Sequence, residues 1–202
     1  MPRPLRVIPD GIPQHIVNRG NRRATVFATA PDYLGFLAAL ADAAERTTVR
    51  LVSFCLMPNH WHLVLWPVVG KEISRYMQLV MNDHIRDLQS RHGTSGTGHI
   101  YQGRFRNSHI LSERQFVNVC RYVEANPLCA GLVNRAENWP WSSLARSGPA
   151  EGVNILAPWP FQRPRRWLDD VNNPQSDAIQ RKIQRSLGRQ SKTALALSML
   201  QK

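Results

Sequence analysis

The sequence predicts an α+β fold, a ferredoxin-like split βαβ sandwich with an antiparallel sheet and helices on one face, followed by a basic C-terminal tail. Three observations predict it. Seven segments follow one another as strand, helix, strand, strand, helix, strand, helix; two strands meet at the turn dipeptide Pro58-Asn59; and after "NWPWSS" the texture changes to proline, asparagine and arginine. At 202 residues one principal domain is expected, since domains commonly hold ~100–200 residues. The change of texture sets the expected boundary, with a principal domain over 1–145 and an extension over 146–202.

Taking the elements in order, the run from Ile12 to Asn18 alternates as a strand does, and a glycine flanked by arginines ends it in a basic turn. "PDYLGFLAALADAAERT" (31–47) spaces Leu34, Leu37, Ala38, Ala41 and Ala44 as a helix would, with proline in the tolerated first turn. "VRLVSFCLMPNHWHLVLWP" (49–67) is two runs rich in Val, Leu and Phe, broken at Pro58-Asn59, and predicts a hairpin. A long amphipathic helix follows, with Ile73, Tyr76, Met77, Val80, Met81, His84 and Leu88 on one face and Gly93 at its end. A polar glycine-rich loop leads into a strand carrying Arg104 and Arg106, and the third helix runs from Ser112, a residue suited to an N-cap, to the residue before Pro127.

Lysine and arginine number 26 against 14 acidic residues, a net charge of +12. Such a surface expects an anionic partner, and nucleic acid comes first. No long apolar stretch and no amino-terminal signal pattern is present, so a cytoplasmic protein without a membrane partner is expected. Residues 160–202 hold nine basic and three acidic residues, half the net charge in about a fifth of the chain. Helix is expected across Asp177 to Leu187, and the segment reads either as an accessory DNA-binding tail or as a solvated one. Cys55, Cys120 and Cys129 form no close pair, which argues against structural zinc and for inert thiols.

On a strand, residues two apart share a face, so His60 and His62 project together while Trp61 faces away. Two imidazoles so placed suit one divalent ion, although the spacing by itself fits packed histidines better. A tyrosine can attack a phosphodiester to form a covalent phosphotyrosine. Of the four tyrosines, Tyr122 is distinguished by Asn126 one helical turn later, where an amide oxygen can serve as a further ligand, though spacing alone fits plain packing too. Tyr76 belongs with its core neighbours, Tyr33 needs no special role in the first turn of its helix, and Tyr101, beside the glycine-rich loop, fits base stacking or simple exposure. Arg19, Arg22 and Arg23 after the first strand, and Arg104 and Arg106 around Gly103, form two clusters suited to phosphate contacts.

Five stretches, "NRGNRRATVF" (18–27), "CLMPNHWHLVLWP" (55–67), "RHGTSGTGHIYQGRFRN" (91–107), "RYVEANPLCAGLV" (121–133) and "WPWSS" (139–143), together resemble the REP-associated tyrosine transposases, a branch of the single-tyrosine HUH transposase superfamily. They stand in the family's order and span nearly all of residues 12–145. The resemblance implies that His60 and His62 bind a divalent metal, Mg²⁺ or Mn²⁺, with Asn126 as third ligand, and that Tyr122 is the nucleophile. It implies a metal-dependent transposase or strand transferase, cleaving and rejoining single-stranded, hairpin-bearing DNA such as REP-like palindromes through a 5′-phosphotyrosine, as a monomer or a homodimer. The C-terminal "SDAIQRKIQRSLGRQ" fits only loosely the helix-turn-helix-like segment of longer relatives. Two other readings of the same residues are a non-catalytic binder of structured nucleic acid and a metal hydrolase without a covalent step.

Overall fold

The computed structural model describes residues 7–94, 96, 98–145, 155–173 and 175–186. Its strands are β1 (Gln14–Arg19), β2 (Val49–Met57), β3 (His60–Pro67) and β4 (Arg106–His109); α1 (Ala30–Glu45) lies between β1 and β2, and α2 (Glu72–His92) between β3 and β4. Then follow α3 (Glu113–Glu124), the short α4 (Asn126–Cys129), α5 (Trp167–Asn172) and α6 (Asp177–Ser186). The sheet order is β2-β3-β1-β4, antiparallel throughout, which is the order a split βαβ unit produces when each helical crossover skips a strand. Among the described residues no helix is long and apolar enough to cross a membrane.

Local chemistry explains the elements. Thr29 and Asp32 form a capping box that starts α1, and Ser112 accepts from the Gln115 amide to start α3. Gly93 ends α2 at φ 62°, a left-handed conformation that glycine adopts without penalty. The hairpin turns in two residues, pairing Met57 with His60 across Pro58-Asn59. Gly20 lies so close to the following turn that a Cβ would overlap the Ala24 carbonyl.

α1 and α2 cover one face of the sheet, burying Phe36, Leu40, Tyr76 and Val80 against Ile16, Leu56, Trp61, Leu63 and Leu65. α3 packs on the opposite face, where Phe116, Val119, Cys120 and Val123 meet Cys55, Met57 and Val64. The helix pair of the βαβ motif is thus on one face as expected, and the third helix adds a layer on the other. A bulge at Val52 in β2 turns both Val52 and Ser53 toward α3, and Ser53 hydroxyl donates to Glu124 at 3.0 Å.

Several details differ from the sequence expectations. The buried face of α1 is Tyr33, Phe36, Leu37, Leu40 and Ala43; Leu34 is 37% exposed, because the aromatic residues outweigh alanine in choosing which stripe faces the core. The fourth strand is shorter than its alternating run, beginning at Arg106, since the Asn18 amide donates to the Gly103 carbonyl where a ladder bond would start. Tyr101 is neither exposed nor free to stack on bases. It is 5% exposed, and its hydroxyl accepts from the Trp61 indole at 3.1 Å, giving a buried N–H the partner it requires.

The extension is not a solvated tail over its described part. Ala157 donates to the Leu51 carbonyl beside the sheet edge; Trp159 and Phe161 pack edge-on against Phe116; and the Trp167 indole donates to Glu124 at 2.7 Å. Arg163 covers both Trp159 and Trp167. α6 realises the helix expected over Asp177 to Leu187 as far as Ser186, with Leu187, Arg189, Lys192 and Lys202 outside the described residues.

Candidate functional site

β3 delivers the site by alternation. Trp61, Leu63 and Leu65 are locked in the core beneath α1 and α2, so His60 and His62 emerge toward α3. Their ring centroids are 5.1 Å apart. Tyr122, on the α3 face that looks back at the sheet, brings its ring edge-on to His62 at 5.5 Å. Asn126, at the start of α4, uses its amide nitrogen to bond the Tyr122 backbone carbonyl at 2.8 Å, which leaves Oδ1 as the uncommitted atom. The carboxamide is within hydrogen-bonding reach of both His60 and the Tyr122 phenol. The four residues that the sequence singled out are therefore neighbours.

Asn59 orients His60. Its Nδ2 donates to the Arg23 carbonyl at 3.4 Å and its Oδ1 lies 2.7 Å from His60 Nδ1. An amide oxygen only accepts, so His60 carries its proton on Nδ1 and keeps a lone pair on Nε2. Burial holds the pKa of His60 down to about 4, helped by the Arg19 charge and opposed by Asn126; burial likewise pushes His62 well below its ordinary value. Both rings are consequently neutral at pH 7, the protonation state a ligand needs. Burial raises the Tyr122 phenol, while contacts with Gln184 and Asn126 and the Arg19 charge pull it back.

Two clefts meet at Tyr122 and Arg19. The larger, about 640 Å³, is lined by Arg19, Arg23, Arg104 and Arg106, with Gly103 and His62 on its walls. The smaller, about 270 Å³, runs past His60, Asn126, Met57 and Cys129 to Gln175, Gln180 and Gln184. Of the five arginines expected at phosphates, four thus line the larger cleft; Arg22 does not. Arg22 and Arg23 both take positive φ, 51° and 63°, a conformation that costs a side-chain-bearing residue ~1–3 kcal/mol and that gathers where function over-determines the backbone.

Two residues beside the site were missed by the sequence reading. His15 on β1 is fully buried, with Nε2 2.9 Å from His62 Nδ1. Its one sequence signal was a histidine inside an otherwise apolar alternation. Gln184 of α6, 3.4 Å from the Tyr122 hydroxyl, carried no signal beyond its place in a basic helix.

Among the described residues, no three histidine, cysteine, aspartate or glutamate side chains gather as a metal cluster. The available donors are two neutral imidazoles and one carboxamide oxygen, a mixed nitrogen and oxygen set that fits Mn²⁺ better than Mg²⁺.

Comparison with known proteins bears on the family and the fold. The profile of the family described as Transposase IS200 like matches residues 10–126. A Haemophilus influenzae protein named as a REP-associated tyrosine transposase is 26% identical over 132 residues, covering 59% of this chain and 73% of that one. A solved structure described as a REP-associated tyrosine transposase bound to a REP hairpin superposes with a TM-score of 0.58 at 16% identity, covering 79% of this chain and 99% of its own. That likeness bears on the fold, which the two share. Since the profile runs from the approach to β1 through Asn126, across all four strands and the first three helices and more than half of the chain, the chain belongs to the IS200-like transposase family.

Proposed function

We propose that the protein is a metal-dependent strand transferase that cuts and rejoins single-stranded, hairpin-bearing DNA, with Tyr122 as its nucleophile. The observation that carries this reading is the meeting, at one phenol, of the β3 histidine pair and an arginine-lined cleft. The solved relative bound to a REP hairpin supports a palindromic DNA as substrate.

In this reading Arg19, Arg23, Arg104 and Arg106 hold backbone phosphates in the larger cleft, as charge-assisted bonds from planar guanidinium groups do well. His60, His62 and Asn126 would hold a divalent ion, and such an ion would supply Lewis-acid polarisation of the scissile phosphate. The Tyr122 oxygen attacks phosphorus, loses its proton, and displaces the 3′-oxygen, which leaves as a 3′-hydroxyl. A 5′-phosphotyrosine results. Attack by another 3′-hydroxyl reverses the step and joins new ends, and because one phosphoester replaces another, no nucleotide cofactor is consumed.

The test is a denaturing gel of protein with 5′- and 3′-labelled hairpin DNA and Mn²⁺. The wild type gives a covalent adduct that carries the 3′ label and a free 5′-labelled fragment ending in a 3′-hydroxyl, and Tyr122→Phe gives neither adduct nor cleavage. His60→Ala loses activity that added Mn²⁺ does not restore. Full cleavage by Tyr122→Phe sinks the covalent mechanism in favour of a metal hydrolase. Binding without cleavage, steep in salt and indifferent to metal, returns the protein to a nucleic-acid binder.

A further inference from the structure

We infer that His15 is a positioning residue that fixes the tautomer of His62 and thereby decides which of its nitrogens is open to a metal ion; this rests on the metal-assisted reading above. The placement follows from strand register. β1 and β3 pair Val17 with His62 and His15 with Val64, so His15 is the diagonal neighbour of His62 on the α3 face of the sheet. The rings stack at 5.1 Å with Nε2 of His15 2.9 Å from Nδ1 of His62, and the two side chains are 0% and 3% exposed.

A hydrogen bond between two neutral imidazoles has one donor and one acceptor, which leaves two arrangements. In the first, His62 donates from Nδ1, its Nε2 keeps the lone pair, and His15 holds its own proton on Nδ1. In the second, His15 donates, and His62 carries its proton on Nε2, closed to a metal. Only the first lets His62 act as a ligand.

In either arrangement Nδ1 of His15 is buried without a hydrogen-bond partner. An unpartnered buried polar atom costs ~1–3 kcal/mol, and an aliphatic side chain of similar size would fill the space without it. A ring kept at that cost is explained by its other nitrogen, the acceptor that meets His62 Nδ1 among the described residues. The pairing is the histidine counterpart of the carbonyl or carboxylate that commonly stands behind a metal-binding imidazole. It also matches the role of Asn59 behind His60, so each imidazole of the pair has its Nδ1 engaged.

The experiment compares wild type, His15→Leu, His15→Gln and His60→Ala. Long-range ¹H–¹⁵N correlation spectra of metal-free, histidine-labelled protein report which nitrogen of His62 is protonated. Mn²⁺ titrations followed by calorimetry report affinity, and thermal unfolding reports the fold. The expected wild-type spectrum shows His62 protonated on Nδ1. His15→Leu shifts that proton toward Nε2 and weakens His60-dependent Mn²⁺ binding about 10- to 100-fold, while its metal-free melting temperature holds or rises. His15→Gln, whose amide oxygen can accept from Nδ1, recovers most of the affinity. A wild-type His62 protonated on Nε2, or a His15→Leu protein with unchanged tautomer and affinity, overturns the inference and makes His15 a packing residue. If His15→Leu does not fold, the wild-type spectrum and His15→Gln decide. A wild type without His60-dependent Mn²⁺ binding overturns the metal reading itself, and this inference with it.

Discussion

The two faces of the sheet share their strands and differ in chemistry. Along β3, Trp61, Leu63 and Leu65 enter a core of aromatic and aliphatic side chains beneath α1 and α2, whereas His60, His62 and Val64 face α3. On the α3 side lie His15, Ser53, His62 and Glu124, all buried. There Glu124 is held by Ser53, Ser143 and Trp167, with Arg163 nearby, although burial still raises its pKa. One face therefore anchors the strand by excluded water, and the other presents the polar groups thus held still. Rigid placement of reactive side chains needs such a backing, because an anchored strand loses less geometry than a loop does.

Substitutions at adjacent strand and helix positions should separate the faces most widely. Tyr122→Phe should abolish transfer by a factor on the order of a thousand or more, yet lower the unfolding free energy by under about 1 kcal/mol, since the hydroxyl's contact with Gln184 is long, at 3.4 Å. Trp61→Ala should do the reverse in kind, costing about 3–5 kcal/mol of stability and leaving the Tyr101 hydroxyl without its donor. Equal destabilisation by the two would erase the contrast.

Acid should be the next largest influence. Burial lowers His15 to about 3 and His84 to about 4, and holds His62 well down. Each is neutral in the folded protein and protonates in the unfolded chain below about 6.5, so the unfolded state binds more protons there. Their contribution is fully present above that pH and is lost as pH falls toward the folded values, about 2 kcal/mol each for His15 and His84 by pH 5, with His62 acting in the same direction. Glu124 runs the other way, its raised pKa favouring the fold as pH falls through the window just above its ordinary 4.5. Urea unfolding at pH 7.5, 6 and 5 should show the histidine trend prevail, and a flat profile would contradict it.

The smallest effect concerns the exception on the apolar face. His84 is buried among Phe27, Phe36 and Tyr101, with neither ring nitrogen hydrogen-bonded. His84→Leu should stabilise the protein by about 1 kcal/mol at pH 7 and by more at pH 5, as read from the same urea series.

Much of this contrast was legible before any coordinates. The two-residue period of "NHWHLVLW" divides β3 into its faces unaided, and Pro58-Asn59 marks the reversal. The amphipathic pattern of α3 says that one stripe is buried but not which side of the sheet receives it, because that depends on where the chain crosses after β4. His15 was opaque for a related reason. It is 47 residues from His62 in sequence, and only β1–β3 register brings the rings together. Tyr101 was misjudged because a neighbouring glycine-rich loop implies exposure, while the need of a buried indole for an acceptor is invisible until Trp61 has been placed. The structure brings four of the five clustered arginines to one cleft, but the left-handed turn at Arg22 and Arg23, which leaves Arg22 outside it, is a property of backbone geometry.

The Pro58-Asn59 turn does more than reverse the chain. The Pro58 carbonyl accepts from the Val26 and Phe27 amides, the Asn59 carbonyl accepts from Gly20, and the Asn59 side chain bridges the Arg23 carbonyl to His60. Five hydrogen bonds thus tie the Gly20–Phe27 loop to the turn and, through Asn59, to the His60 ring. A shift of the Arg23 backbone would therefore reach the His60 imidazole through a single side chain, so Asn59 sets the aim of the ring by the position of the loop.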